Sequence, residues 1–206
     1  MHVSKAPDPH TGRVPSTLPD GDPAPADGML PWTALDGLGT RPFGVYVHVP
    51  FCATRCGYCD FNTYTATELG GGASLSGYAE TVAAEMGLAA TVLGRDRPRA
   101  TTVFFGGGTP TMLPVAQLSE LLGCVRVLFG LATDAEVTTE ANPESVDPRY
   151  LSELREAGFT RISFGMQSSN SGVLAVLDRT HTPGRASDAV AEARAAGFEH
   201  VNVDLI

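Results

Sequence analysis

Arg161-Ile162-Ser163-Phe164-Gly165-Met166-Gln167 alternates apolar and polar side chains. In a strand, successive side chains point to opposite faces, so Ile162, Phe164 and Met166 share one face and Arg161, Ser163, Gly165 and Gln167 the other. The same alternation sets Val45, Val47 and Val49 against Tyr46 and His48, and Val201, Val203 and Leu205 against Asn202 and Asp204. Five strands are expected, at Phe43 to Val49, Thr101 to Phe105, Glu136 to Glu140, Arg161 to Met166 and His200 to Ile206. Helices are expected at about 77 to 93, 115 to 129, 148 to 157, 170 to 178 and 184 to 196, the third with Asp147 as N-cap, Pro148 at its first position and an end near Gly158. Strand, helix, strand repeated in this way requires right-handed crossovers and a parallel sheet, so the class is α/β. Parallel strands covered on both faces read as continuous apolar runs. These alternate, so one face of the sheet is polar, which fits a barrel or partial barrel with a ligand in its lumen better than a flat doubly wound sheet. The last strand ends at Asp204-Leu205-Ile206 with no covering helix and no neighbour on its edge. A fragment truncated after the fifth strand is therefore expected, with an aggregation-prone edge at residues 200 to 206.

The chain has 206 residues, with 14 Lys and Arg against 23 Asp and Glu for a net charge of -9. Its 43% hydrophobic and 18% charged residues exclude wholesale disorder and a collagen-like repeat. The negative balance argues against sequence-independent nucleic-acid binding and against a polybasic membrane-surface role, leaving small molecules or proteins as partners. There is no apolar run of about 18 residues and no secretory signal pattern, so no integral membrane segment is expected. The expected location is cytoplasmic, where thiols stay reduced. Residues 1 to 42 hold eight of the 15 prolines among Asp, Gly, Ala and Ser, and read as a disordered leader ahead of a core domain at 43 to 206.

Cys52-Ala53-Thr54-Arg55-Cys56-Gly57-Tyr58-Cys59 puts three thiols on one loop directly after the first strand, the end at which barrel enzymes build their sites. Three thiolates so placed can hold three irons of a cubane [4Fe-4S] cluster and leave the fourth to a non-protein ligand. Zinc is the rival, with His48 or Cys124 as fourth ligand, but zinc favours paired C-x2-C knuckles and one such pair exists here. Cys124, among Leu121, Leu122, Val125 and Leu128, reads as a core residue. Gly106-Gly107-Gly108-Thr109-Pro110-Thr111 lacks the Gly-Lys-Ser/Thr ending of a nucleotide P-loop; it is a tight turn or a place where a ligand approaches the backbone.

Cys-x3-Cys-x2-Cys with an aromatic before the last Cys resembles the signature of the radical S-adenosylmethionine (SAM) enzymes. The longer string Tyr46-Val-His-Val-Pro-Phe-Cys52, continuing to Cys59-Asp60-Phe61-Asn62, resembles the oxygen-independent coproporphyrinogen III oxidase family and, within it, the HemW-type heme chaperones. The resemblance covers about Phe43 to Ile206 and implies a partial (βα)6 TIM-like barrel, with a [4Fe-4S] cluster on Cys52, Cys56 and Cys59. It also implies SAM contacts at Tyr46, Tyr58, Gly107, Gly108, Thr109, Gln167, Arg179 and Asp204, with two SAM molecules in the oxidases. The glycine loop would take the methionyl amino group, Glu140 the ammonium or the ribose hydroxyls, and the Arg179 fork a carboxylate. His48 is either near the cluster or a satisfied inner-face histidine, and His181 is a weaker candidate ligand. The implied chemistry is one-electron reductive cleavage of SAM to a 5'-deoxyadenosyl radical, fed by an electron donor such as flavodoxin or ferredoxin. In the oxidases this radical starts decarboxylation of two porphyrinogen propionates. Those enzymes resemble Cys-x3-Cys-x2-Cys-x-Cys, whereas here Asp60-Phe61 follows the third Cys, which counts against coproporphyrinogen dehydrogenase activity. The chaperone type implies binding of heme or a porphyrin and its transfer to hemoprotein acceptors, with the heme-ligand motif expected C-terminal to residue 206.

Overall fold

The structure, a computed structural model, describes residues 25–65, 68, 74–179 and 182–206. Its elements are α1 (Trp32–Leu35), β1 (Phe43–Val49), α2 (Tyr78–Leu93), β2 (Ala100–Gly107), α3 (Val115–Leu128), β3 (Leu131–Ala141), α4 (Pro148–Ala157), β4 (Arg161–Gln167), α5 (Ser171–Val176), α6 (Arg185–Ala195) and β5 (His200–Leu205). Short 3-10 turns lie at Pro110–Met112 and Pro143–Ser145. The strands form one parallel sheet in the order β1-β2-β3-β4-β5. Each strand lies beside its successor, so the sheet winds one way and lacks the reversal of a doubly wound fold. This is the partial-barrel arrangement that the alternating strands predict. No described helix is long and apolar enough to cross a membrane.

Register sorts the side chains into layers. Tyr46, Phe104, Thr138, Arg161 and His200 are successive partners across the sheet. Nearer the C-terminal ends His48 pairs with Gly106, and Glu140 with Ser163 and then Asn202; one layer further, Gly165 pairs with Asp204. The opposite face carries Val47, Val49, Val103, Phe105, Val137, Ile162 and Phe164, which share one core with Leu118, Leu121, Leu122 and Val125 of α3, Leu151 and Leu154 of α4, and Ala189 and Ala193 of α6. Burying each such leucine contributes about 1.5–3 kcal/mol, so the apolar face is what holds the helices to the sheet.

Helix α4 begins and ends where its sequence dictates. The Asp147 carboxylate accepts from the Tyr150 N–H at 2.7 Å, Pro148 takes the first position, and Gly158 turns left-handed at φ 105. The Phe159 N–H then donates to the Leu154 carbonyl at 3.2 Å, closing the last turn.

Three differences from the sequence reading have physical causes. Strand β2 runs on through Gly106 and Gly107, which pair with His48 and Val49, because glycines admit a neighbouring strand closely. Strand β3 starts at Leu131, before any alternation, through a register shift that pairs Leu131 with Ala100 and Glu136 with Thr102. Helix α5 stops at Val176 because Asp178 adopts a left-handed backbone at φ 51. In the stretch expected to be a disordered leader, residues 25–42 carry the single turn α1 and bury no side chain, and residues 1–24 lie outside the described residues.

Candidate functional site

Pro50 and Phe51 lead β1 into a loop closed at its base by a clasp. The Cys52 N–H donates to the Tyr64 carbonyl at 2.9 Å and the Tyr64 N–H to the Pro50 carbonyl at 2.8 Å. The buried Phe51 ring meets Tyr78 of α2 edge-on at 5.3 Å, which ties the clasp to the core. Inside the loop the Cys59 N–H donates to the Cys56 carbonyl at 3.1 Å, a tight turn, and Thr63, itself buried, lies 3.7 Å from the Cys59 sulfur. Burial pushes the Cys52 thiol up; hydrogen bonds with Thr63 and Thr109 oppose the rise, and the adjacent Cys59 and Cys56 add to it. Three thiolates this close repel one another, and a bound cation relieves that repulsion.

All three thiols line one cleft of about 540 Å³ at the C-terminal ends of the strands, while Cys124 packs against the core on α3. This donor set fits a cubane cluster, in which each thiolate takes a separate iron and one corner is left to another ligand. It does not fit the zinc alternative. Cys124, one of the two candidates for the fourth ligand that zinc would need, packs against the core on α3. Both ring nitrogens of His48 are also engaged, with Asn62 at 2.8 Å and Tyr46 at 2.9 Å. A backbone carbonyl only accepts, so His48 Nε2 donates to Asn62 and, in the neutral ring, Nδ1 accepts from the Tyr46 hydroxyl.

The second wall is the glycine loop at the end of β2. The Gly108 N–H donates to the Val49 carbonyl at 2.8 Å and the Thr109 N–H to the Phe51 carbonyl at 2.7 Å, so this loop is stitched to the start of the cysteine loop. A β-carbon on Gly108 would stand 2.5 Å from the Phe51 oxygen and 3.0 Å from the Cys52 sulfur, and one on Gly107 2.6 Å from the His48 ring. These glycines are required by the protein's own packing. Glu140, at the end of β3, accepts from the Gly107 N–H at 3.0 Å. Burial pushes its carboxyl up; the Gly107 bond lowers it, Asp204 raises it and His48 lowers it.

The far wall comes from β4, β5 and the turn after α5. Asp204 accepts from the Ser163 hydroxyl at 2.9 Å and from the Asn202 amide at 2.8 Å, and Asn202 also donates to Ser163 at 2.9 Å. Gln167 has a left-handed backbone, φ 67, at an irregularity in the β4–β5 register, and its carbonyl accepts from Ile206 at 3.0 Å. Arg179 donates to the Gly165 carbonyl at 2.6 Å and to the Cys56 sulfur at 3.1 Å. Among the described residues Glu140, Glu144, Asp178 and Asp204 line the cleft against a single cation, Arg179, so the cavity favours a ligand with positive charge.

The fold brings together Cys52, Cys56, Cys59, Tyr58, Gly107, Gly108, Thr109, Glu140, Gln167, Arg179 and Asp204. Tyr46 does not join them. It sits 58% exposed on β1, its ring against Phe104, because the two-residue strand period places it one step below His48, which takes its hydroxyl. His181 lies outside the described residues. Phe61, a family marker in the sequence, lines the cleft; Asn142, Glu144 and Asp178 also line it, and Asn202 lies behind Asp204, none of them expected there. Only Asn202 carried a signal, as the inward-facing polar residue two before Asp204.

Residues 46–206 match the Radical SAM superfamily, and the chain belongs to it. A heme chaperone HemW of Mycobacterium tuberculosis (strain CDC 1551 / Oshkosh) is 57% identical over 166 residues, 81% of this chain and 42% of that protein. An oxygen-independent coproporphyrinogen III oxidase of Synechocystis is 36% identical over 172 residues, 84% of this chain and 36% of that protein. Among solved structures, coproporphyrinogen III oxidase (HemN) from Escherichia coli, a radical SAM enzyme, superposes with a TM-score of 0.71 at 32% identity, covering 80% of this chain and 37% of that one. The chain thus spans about two fifths of the length of these relatives.

Proposed function

We propose that this protein is a heme chaperone of the HemW type. Cys52, Cys56 and Cys59 hold a [4Fe-4S] cluster, SAM occupies the acidic cleft beside it, and the whole protein binds heme and passes it to hemoprotein acceptors in the cytoplasm. The observation that carries the chaperone reading is Phe61. It stands where the oxidases have a fourth motif Cys, and it projects at the cleft, 63% exposed, an apolar ring in place of a thiol. The 57% identity to a HemW chaperone supports the same reading. When bound, such a cluster supplies the electron for reductive cleavage of SAM, received from a donor such as flavodoxin or ferredoxin.

The chain's own residues bind and orient. The Gly107–Thr109 backbone lines the cleft where the methionyl amino group would sit, and Glu140 and Asp204 offer carboxylates to its ammonium and to the ribose hydroxyls. Tyr58 and Gln167 flank the cleft, and the Arg179 guanidinium suits the SAM carboxylate. Tyr46 acts through His48.

A second reading, porphyrinogen decarboxylation, is favoured by the structural match to coproporphyrinogen III oxidase. One experiment separates the two. The full-length protein, reconstituted anaerobically with iron and sulfide, is titrated with hemin and, in parallel, incubated with coproporphyrinogen III, SAM and a reductant. Saturable heme absorbance without protoporphyrinogen is expected. Protoporphyrinogen formation would overturn the chaperone reading.

A further inference from the structure

The turn Leu177-Asp178-Arg179 reaches the cysteine loop from 123 residues away in sequence. It makes three contacts there. The Gly57 N–H donates to the Leu177 carbonyl at 3.2 Å. A β-carbon on Gly57 would stand 2.6 Å from an Asp178 carboxylate oxygen, so that carboxylate lies directly on the bare glycine. Arg179 is held between two elements, Nη2 donating to the Gly165 carbonyl at the end of β4 and Nη1 to the Cys56 sulfur. Asp178 achieves this with a left-handed backbone, φ 51, a conformation few non-glycine residues adopt. That conformation ends α5 and sets Arg179 against the cysteine loop.

We propose that this turn is a redox-tuning latch: Arg179 is a positioning residue that donates to the sulfur of Cys56 and raises the reduction potential of the cluster bound there. The inference rests on the assignment of the cluster to Cys52, Cys56 and Cys59. Reduction adds an electron to an anionic cluster, and a hydrogen bond to a ligand sulfur, with a fixed positive charge behind it, stabilises the reduced state more than the oxidised one. The guanidinium is suited to this because its planar fork bridges the sulfur and a backbone carbonyl at once. A role confined to the SAM carboxylate needs no contact with Cys56, so the two are separable by working without SAM.

The test is an EPR-monitored redox titration of the anaerobically reconstituted full-length protein, SAM omitted, for wild type, Arg179→Gln and Arg179→Lys, with iron and sulfide quantified for each. The expected result is a midpoint that moves to lower potential in Arg179→Gln, with Arg179→Lys between it and wild type. An unchanged midpoint in any variant that retains its cluster overturns the latch. If neither variant retains a cluster, wild type exchanged into deuterated buffer decides by resonance Raman. A shift of the iron–cysteine stretching bands supports the hydrogen bond, and no shift overturns it. A wild type that assembles no cluster overturns the cluster assignment itself, and the latch with it, which is a different result from a loaded wild type whose variants titrate alike.

Discussion

The two faces of strand β4 are one residue apart and are held in place by different physics. Outward, Ile162 and Phe164 are 0% exposed and wedge into the helices. Inward, Ser163 is nearly as buried, yet what surrounds it is the Asp204 carboxylate and the Asn202 amide. The outer face is maintained by volume and the inner face by pairing of donors with acceptors. The first tolerates apolar exchange that keeps its size; the second tolerates exchange that keeps its hydrogen bonds.

The largest effect should come from the outer face. Phe164→Ala is expected to cost about 3–5 kcal/mol in urea unfolding of the full-length protein, while the cluster of the folded fraction keeps its spectrum. A cluster lost in parallel with stability would break the separation between the faces. Next is Gly108→Ala, whose methyl group meets the Phe51 backbone at 2.5 Å and the Cys52 sulfur at 3.0 Å. Overpacking of about 1–3 kcal/mol is expected, together with reduced iron content after reconstitution; full iron loading would show that the two loops are not mechanically joined. Ser163→Ala should cost about 1 kcal/mol and weaken SAM binding by freeing Asp204, as isothermal titration would read.

The smallest effect on stability is at Glu140, whose carboxyl is pushed up chiefly by burial. A folded-state pKa above the unfolded one means that the associated stability is fully present below the unfolded value and is lost as pH rises through the folded value. Glu140→Gln should therefore remove that loss, gaining on wild type in urea midpoint as pH rises above the ordinary glutamate range, while binding cationic SAM less well. Parallel midpoints across that window would remove Glu140 as the titrating group.

Much of the fold was legible because its signals are local. The alternation at 161–167 and the capping residues Asp147, Pro148 and Gly158 act within a few residues, and the structure follows them. The cysteine spacing likewise marks a loop that the structure closes on itself. What stayed hidden depends on chain segments that meet only in three dimensions. Gly106 and Gly107 read as loop residues because nothing in sequence announces that His48 will lie against them. Asp178, an ordinary acidic residue after a short helix, gives no sign of a left-handed backbone lying over Gly57. Tyr46 is put at the SAM site by the family resemblance alone; period-two counting gives its face but not its height along the strand, and the structure keeps it off the cleft wall.

The clasp at the base of the cysteine loop joins Pro50 and Cys52 to Tyr64, and the Arg179 contact joins residues 123 apart. Loop-closure entropy grows with the logarithm of length, so in the unfolded chain the second ring costs about 2 kcal/mol more to close than the first. During folding the clasp can therefore form from its own segment, whereas the Arg179 attachment must wait until the sheet has brought β4 beside β1's end of the molecule.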